Sequence, residues 1–123
     1  FLFYLFMDDC VFCKVVKGEI PMKRICESDN FITIPDIRPI CEGHSLIISK
    51  KHFKTSLDIP SSLGVELLDC IKETSIKLMK EHNATGFNII QNNFESAGQA
   101  VNHIHFHIMP RKKGGKSPLT EIK

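Results

Sequence analysis

Three histidines recur at alternate positions near the carboxyl end of this 123-residue chain, within residues 102–111 (NHIHFHIMPR). They are His103, His105 and His107, half of the 6 histidines in the chain, and apolar residues separate them. Successive side chains of a β-strand point to opposite faces, so this spacing predicts three imidazoles along one face of a strand. Alternating histidines can also line an ordinary polar sheet face, but a row of three favours a chemical role.

Such a row suits an extended ligand better than a single metal ion. A rise of about 3.3 Å per residue places His103 and His107 roughly 13 Å apart along the backbone, too far to share one zinc ion easily. Two neighbouring rings can still share a metal. Imidazole titrates near pH 6.5, so one ring can attack phosphorus while another protonates a leaving group or binds phosphate oxygens. Phosphate is therefore the expected partner of the row.

A C-x-x-C pair, Cys10 and Cys13, lies near the amino end. Its spacing fits two thiolates on a tetrahedral zinc ion, and His44, His52 and His103 are the candidates for the missing ligands. A set of two cysteines and two histidines would tie the beginning of the chain to its sheet. A redox pair of the thioredoxin type is the alternative, but no βαβ pattern surrounds the motif.

Four strands are predicted to position these residues. Residues 31–37 (FITIPDI) are β-rich, and Pro35 favours an edge position or a bend there. The apolar run within residues 44–50 suits a strand that is covered on both faces. Residues 86–93 and 103–109 are predicted to form a hairpin with a wide loop.

A principal helix is predicted over residues 61–82, with Ser61 or Ser62 capping its first turn. Its apolar stripe would cover one face of the sheet and consists of Leu63, Leu67, Leu68, Ile71, Ser75, Leu78 and Met79. A short helical stretch is predicted at residues 11–16, closed by Gly18. The whole pattern is that of an α+β domain with a mostly antiparallel sheet and one principal helix.

Length and composition predict a single domain over residues 1–123, with 42% hydrophobic residues and one continuous core. The formal charge of +2 implies no general attraction to nucleic acid or to a membrane. The 5 cysteines are odd in number and, beyond the C-x-x-C pair, scattered singly, which favours a reducing, cytoplasmic location.

The two ends of this domain are predicted to be an extension and a tail. Residues 1–6 (FLFYLF) are apolar, but they are too short for a membrane span and lack the basic leader of a secretory signal. We expect them to be an upstream extension before Met7, although such a segment could also add to a sheet edge. Residues 112–123 are predicted to form a mobile tail, and a phosphate contact by the basic run 111–116 is the alternative.

Three ordered blocks of this sequence resemble the histidine triad (HIT) family of nucleotide hydrolases and transferases. They are CVFCKVVKGEIP (residues 10–21), IPDIRPICEGHSLIISKKHF (34–53) and AGQAVNHIHFHIMPR (97–111), so the resemblance covers almost the whole chain. The bacterial Hint-like branch is closer, because the carboxyl end does not resemble the aromatic segment of the animal Hint branch. The resemblance implies a HIT-like fold whose sheet continues across a homodimer.

The resemblance also implies unequal roles for the histidines. His105 matches the family nucleophile, which would form a covalent nucleotidyl-histidine at the α-phosphate of a purine nucleotide, later resolved by water. His107 would hold phosphate oxygens or assist the leaving group. His44 matches a histidine that supports the triad by hydrogen bonding. These three residues are the catalytic candidates.

The resemblance also implies which residues bind the substrate. Asp36 matches a position that binds ribose hydroxyls, for which a carboxylate is an apt acceptor. Asn92 and Gln99 match polar positions that contact the phosphate or the nucleotide. Two residues depart from the pattern: Ala100 replaces a Ser or Thr that assists near the leaving group, and Phe94 replaces a common glycine, which would narrow the mouth of the site.

Zinc-containing relatives, including the galactose-phosphate uridylyltransferase branch, imply a structural metal. Carried onto this chain, its ligands are Cys10, Cys13, His52 and His103, which leaves His105 and His107 to face the substrate. This division agrees with the distance argument for the row.

The function implied is hydrolysis of purine nucleoside phosphoramidates or related adenylates. A dinucleoside polyphosphate hydrolase or a nucleotidyltransferase would use the same covalent intermediate. A zinc-stabilised nucleotide-binding adaptor with weak catalysis is the alternative from another class, and Ala100 is its best support.

Overall fold

The computed structural model of the protein describes residues 9–115. Its helices and strands are, in chain order, α1 (Val11–Val16), β1 (Cys26–Glu27), β2 (Phe31–Pro35), β3 (Ser45–Ser49), α2 (Gly64–Glu81), β4 (Gly86–Ile90) and β5 (His105–Arg111). The predicted extension 1–6 and residues 116–123 of the predicted tail lie outside the described residues. The first residues of that tail form a turn in which Gly115 N–H donates to Lys112 O at 3.1 Å.

The five strands form one antiparallel sheet in the order β1-β2-β3-β5-β4. This confirms the predicted α+β class with a mostly antiparallel sheet and one principal helix. The predicted wide hairpin is β4 and β5, in which Ile90 pairs with His107. Strand β1 was not predicted, because two residues are too few to show a periodic pattern. Strand β2 ends at Pro35, which has no partner in β1, so this proline lies on a locally unpaired edge, one of the two predicted alternatives.

The prediction that residues 103–109 form a strand is wrong at its amino end. Strand β5 begins at His105, and the two residues before it, His103 and Ile104, lie outside the sheet. The Ile104 N–H donates to Phe53 O at 2.7 Å, and the His103 ring lies 2.8 Å from Ser49 O. His103 therefore reaches past the end of β3 and does not continue the row formed by His105 and His107.

Each face of the sheet has its own hydrophobic cluster. The first face packs against α1 and contains Cys10, Phe12, Cys13, Val15, Ile32, Ile34, Leu46 and Ile48. The second face packs against α2 and contains Phe31, Ile47, Cys70, Leu78 and Ile108. Strand β3 is buried at every position, as predicted for a strand covered on both faces. Because His105 pairs with Ile48 and His107 with Leu46, both histidines lie on the α1 face.

The principal helix is present with two corrections. A 3₁₀ turn at Ser61–Leu63 precedes it, and its N-cap is Leu63 without a side-chain bond, so the predicted serine caps are wrong. The stripe is otherwise buried or half-buried, but Leu68 is 51% exposed. The first turn is tied to the β1–β2 connection by the carboxylate of Glu66, which accepts from Asn30 N at 2.7 Å.

Two further observations concern membrane-spanning helices and disulfide bonds. No helix within residues 9–115 is long and apolar enough to cross a membrane. The cysteines, all of which lie in the described residues, form no disulfide.

Candidate active site and metal centre

Four side chains from three segments of the chain meet beside α1 in a group that we call the Cys/His cluster: Cys10, Cys13, His52 and His103. Their ligand atoms all lie within 4.8 Å of one another. The C-x-x-C spacing places both sulfurs at the amino end of α1, where Cys10 Sγ accepts from Cys13 N at 3.4 Å. His52 follows β3 and His103 precedes β5, and the antiparallel pairing of these strands brings the two histidines together.

The protonation of the His103 ring is fixed by its surroundings. A carbonyl oxygen can only accept, so Nε2 carries the proton that it donates to Ser49 O at 2.8 Å. The lone pair of Nδ1 then points to the sulfurs, at 3.2 Å from Cys10 Sγ and 3.6 Å from Cys13 Sγ. His52 Nδ1 lies 3.2 Å from Cys13 Sγ. A metal-binding histidine commonly donates its other ring N–H to such a carbonyl.

The electrostatics of the cluster also suit a cation. Burial, together with the neighbouring Cys10, raises the pKa of the Cys13 thiol to about 12. Burial lowers the pKa of His52 and lowers that of His103 to about 4. Two thiols and two neutral imidazoles are a donor set that zinc prefers, and the charge of the ion would ionise the thiols. The cluster is therefore compatible with zinc.

His105 is held as a neutral ring with one free nitrogen. Its side chain is buried, and Nδ1 donates to the carbonyl oxygen of His103 at 2.8 Å. The proton therefore resides on Nδ1 and the lone pair on Nε2. Burial lowers the pKa of His105, although the His103 carbonyl and Asp36 oppose this effect. The ring thus presents an unprotonated Nε2, which is the form that a nucleophile needs.

His44 and His107 form a hydrogen-bonded pair with an ordered set of protons. His44 Nδ1 accepts from Ile40 N–H at 3.2 Å, so the proton of the neutral His44 ring is on Nε2. His44 Nε2 lies 2.9 Å from His107 Nδ1, which must then accept. The remaining proton of His107 is on Nε2, where it is available to a ligand. We infer a relay of hydrogen bonds: the Ile40 N–H fixes the His44 proton on Nε2, and this in turn leaves the His107 proton on Nε2.

Asp36 lies beside this pair. Its Oδ2 is 3.3 Å from His44 Nε2, and its Oδ1 accepts from Arg38 N at 2.9 Å. The predicted ribose-binding carboxylate is therefore next to the predicted supporting histidine. The loop between them includes Gly43, whose φ of 83° is a conformation that favours glycine. Asp36, His44 and His107 could also approach one cation, but the short bond between the two rings accounts for their proximity.

Asn92 and Gln99, the two residues whose side-chain amides were predicted to contact the substrate, differ in burial and in hydrogen bonding. Asn92 is half-buried on the loop after β4, where its backbone carbonyl oxygen accepts from Gln91 Nε2 at 3.1 Å. Gln99 is buried, and its Nε2 donates to Lys54 O at 2.6 Å and to Val101 O at 2.9 Å. The amide of Gln99 therefore organises the loop. A contact of Gln99 or Asn92 with phosphate stays a prediction.

Sequence reasoning missed two residues that support the site. Ser49 supplies the carbonyl that orients His103. The ring of Phe12 makes edge-on contacts with His103 and His105, with centroids 5.7 and 5.2 Å apart. The sequence signal for Phe12 was its position between Cys10 and Cys13. A helix that brings both sulfurs to the sheet also brings the Phe12 ring to it.

Comparisons with known proteins agree with this geometry. Residues 17–114 match the model of the HIT domain. A Candida albicans protein named adenosine 5′-monophosphoramidase HNT1 is 39% identical over 107 residues, 84% of this chain and 70% of that protein. An Arabidopsis thaliana protein named adenylylsulfatase HINT3 is 39% identical over 106 residues, 86% of this chain and 54% of that protein. The matched part is thus about half of the plant protein.

A solved structure is similar in fold and in sequence. It is a zinc-bound histidine triad family protein from Mycobacterium smegmatis, with a TM-score of 0.83 and 37% identity, covering 89% of this chain and 80% of that one. The antiparallel sheet, the single long helix and the matched segment define an α+β protein of the histidine triad type. The chain belongs to the HIT domain family, which confirms the resemblance of its three sequence blocks.

The hydrogen-bonded pair of His44 and His107 predicts a loss of stability in acid. Burial, followed by the nearby His105 and His44, lowers the pKa of His107 to about 4, against about 6.5 in an unfolded chain. Between these values the unfolded state binds more protons, so the free energy of unfolding should fall as pH decreases from about 6.5 to about 4.

Denaturant titrations at a series of pH values should therefore give a smaller pH slope for His107→Gln than for the native chain. Both proteins retain every member of the Cys/His cluster, so the difference between the slopes reports on His107 together with its contacts to His44 and His105. Equal slopes for the two proteins would contradict the prediction.

Proposed function

We propose that this protein hydrolyses purine nucleoside phosphoramidates or related adenylates through a covalent nucleotidyl-histidine on His105. The observation that carries the proposal is the bond from His105 Nδ1 to the His103 carbonyl, which leaves Nε2 as the free nitrogen. The names of the Candida and Arabidopsis relatives, a monophosphoramidase and an adenylylsulfatase, support a nucleotide hydrolase.

In the proposed first step, the Nε2 lone pair of His105 attacks the α-phosphorus in line. A P–N bond forms as the bond to the leaving group breaks, and the leaving amine takes up a proton. The neutral His107 ring donates a hydrogen bond from its Nε2–H to the phosphate oxygens that gain charge, and the proton of the amine comes from solvent. Asp36 would bind the ribose hydroxyls. Water then attacks the phosphorus and gives its proton to solvent, the P–N bond breaks, and the nucleoside monophosphate leaves with His105 restored as a neutral ring.

Removal of the nucleophile tests this mechanism. With an adenosine phosphoramidate, the native protein should release adenosine monophosphate, and intact mass spectrometry of the unquenched reaction should reveal an adenylylated chain. His105→Ala should lose both signals, with kcat reduced by about three orders of magnitude or more.

The matched control is His82→Ala, which removes a histidine from the end of α2 and should keep both signals. Circular dichroism should establish that His105→Ala is folded. Turnover that survives in this variant would exclude the mechanism. Nucleotide binding without turnover in the native protein would favour the adaptor function.

We also propose that the Cys/His cluster holds a structural zinc ion. The fixed lone pair of His103 and the two buried thiols support this, as does the zinc-bound relative from Mycobacterium smegmatis. Zinc would supply no step of the reaction. It would tie α1 to the ends of β3 and β5, so its removal should destabilise the fold.

Metal analysis tests the zinc site. The native chain should contain about one zinc per chain, and the double variant Cys10→Ser/Cys13→Ser should contain almost none. Chelation should lower the Tm of the native protein and leave that of the double variant unchanged. The control is Cys41→Ser, a cysteine outside the cluster. Equal zinc in the native protein and the double variant would remove these cysteines from the site.

Finally, we propose a homodimer in which β4 pairs with its counterpart in a second copy. Strand β4 is at the edge of the sheet, and Phe87 and Ile89 on it are 40% and 46% exposed. Ile89 pairs with Ile108, which packs under α2, so both exposed side chains lie on the α2 face. Edge-to-edge pairing would cover these side chains and satisfy the free backbone groups of the edge.

Sedimentation velocity tests the dimer. The native protein should sediment as a dimer at micromolar concentration, and Ile89→Lys should shift it to the monomer by placing charge at the edge. Leu57→Lys is the control, because Leu57 is 80% exposed on a 3₁₀ turn away from β4. A monomeric native protein, or a dimer that survives Ile89→Lys, would refute this arrangement.

A further inference from the structure

Phe94 has a backbone conformation that belongs to glycine. Its φ of 70° and ψ of 159° lie in a region where a Cβ atom is strained. Within residues 9–115, the other non-glycine residue with positive φ is Asn83, a type that tolerates it. Burial does not explain why a phenylalanine is held there, because its side chain is 45% exposed.

The surrounding loop enforces this conformation. The Phe94 N–H donates to Gln99 Oε1 at 2.7 Å, and its carbonyl oxygen accepts from the N–H groups of Ala97 and Gln99, each at 3.1 Å. The same Gln99 amide donates through Nε2 to Lys54 O at 2.6 Å. One side-chain amide thus fixes the backbones of both Phe94 and Lys54.

Phe94 and Lys54 make a defined surface feature, the rim pair. Lys54 Nζ lies 5.4 Å from the centroid of the Phe94 ring, within the range of a cation–π contact. An exposed aromatic face and an exposed ammonium group lie side by side, and the Gln99 amide holds the backbones that carry them. A rigid pair of this kind can bind an apolar group and a negative charge at the same time.

Phe94 lies on the loop that joins β4 to β5, the strand of His105 and His107. This loop leaves β4 at Ile90, which pairs with His107, and it returns to the sheet at His105. Beside Lys54 is a cleft of about 830 Å³, lined also by Ala100. Asp36 lies at the other side of the histidines, next to His44.

We propose that Phe94 and Lys54 form the binding subsite for the leaving group, and that they select an amine carrying an apolar side chain and a carboxylate, the chemistry of an α-amino acid. This inference rests on the proposed nucleotidyl-histidine mechanism. With the ribose at Asp36 and the phosphorus at His105, the leaving group extends toward the rim pair. The apolar side chain packs on the Phe94 ring, and the carboxylate pairs with Lys54 Nζ.

Two carboxylates near Lys54 oppose the binding of a negatively charged leaving group. Asp9 and Asp58 also line the cleft and disfavour an anion. Asp58 Oδ2 already accepts from Thr55 N at 3.0 Å and lies 3.3 Å from Thr55 Oγ1, so part of its charge is satisfied within its own turn. Lys54 must therefore outweigh Asp9, and removal of its charge should weaken the preference for the carboxylate.

Three adenosine phosphoramidates test the subsite, with phenylalanine, phenylalaninamide or alanine as the amine. The ratio of kcat/KM for phenylalanine to that for phenylalaninamide reports on the carboxylate. In Lys54→Gln this ratio should fall about fivefold relative to the native protein, as expected for a partly exposed ion pair. Comparing the ratio between proteins cancels the intrinsic difference between the two amines. Lys72→Gln, on the exposed surface of α2, should keep the native ratio.

The ratio for phenylalanine to alanine reports on the ring. Phe94→Ala and Phe94→Gly both remove the ring, but only glycine relieves the backbone conformation. Both variants should lose the preference for phenylalanine by a similar factor, while Phe94→Gly should have the higher Tm. If Phe94→Gly loses the preference for phenylalanine and also has a higher Tm, the Phe94 ring serves the ligand and not the stability of the fold.

The outcomes separate this inference from the proposed function. If the native protein turns over the alanine compound but Lys54→Gln and Phe94→Gly keep the native ratios, the subsite is refuted and the mechanism stands. If no phosphoramidate is hydrolysed, the compounds stay intact, and their Kd values for the same variants measure the same preferences. Equal Kd values for phenylalanine and alanine compounds on native protein would refute the subsite in that case too.

Discussion

The hydrogen bond from His105 Nδ1 to the carbonyl oxygen of His103 joins the two halves of the site. On one side, the His103 ring is fixed by Ser49 O and by the sulfurs of the Cys/His cluster. On the other, the His103 carbonyl decides which nitrogen of His105 carries the proton. Whatever holds His103 therefore also determines the protonation and orientation of the ring that would attack phosphorus. A structural metal at the cluster would act on catalysis through this one residue, without contacting the substrate.

The sheet separates this chemistry from the helix that stabilises the fold. The histidines lie on the α1 face, while α2 packs on the opposite face against Phe31, Ile47 and Ile108. Strand β3 lies between the two layers and is buried at every position. The short helix α1 buries Phe12, Cys13 and Val15 against the sheet, and it brings two sulfurs and the Phe12 ring to the histidines. This division explains why the longest element of the chain supplies none of the candidate catalytic side chains.

The elements with strong local patterns could be predicted from sequence, whereas their junctions could not. The apolar run of β3 and the one-sided stripe of α2 are properties of neighbouring residues. The start of β5 depends on distant groups, because Ile104 N–H bonds to Phe53 O and the His103 ring bonds to Ser49 O. No local pattern contains that information. The alternation of three histidines therefore indicated a common face, while tertiary contacts moved His103 out of the sheet.

The site illustrates the same limit. Sequence spacing left both His44 and His52 as candidate zinc ligands, and only the family resemblance chose between them. The structure gives the physical reason: β3 runs antiparallel to β5, so Ser45 at its start pairs with Ile108 and Ile48 near its end pairs with His105. His44, before the strand, must then lie near His107, and His52, after it, must lie near His103. The length and direction of one buried strand thus assign one histidine to the relay and the other to the cluster.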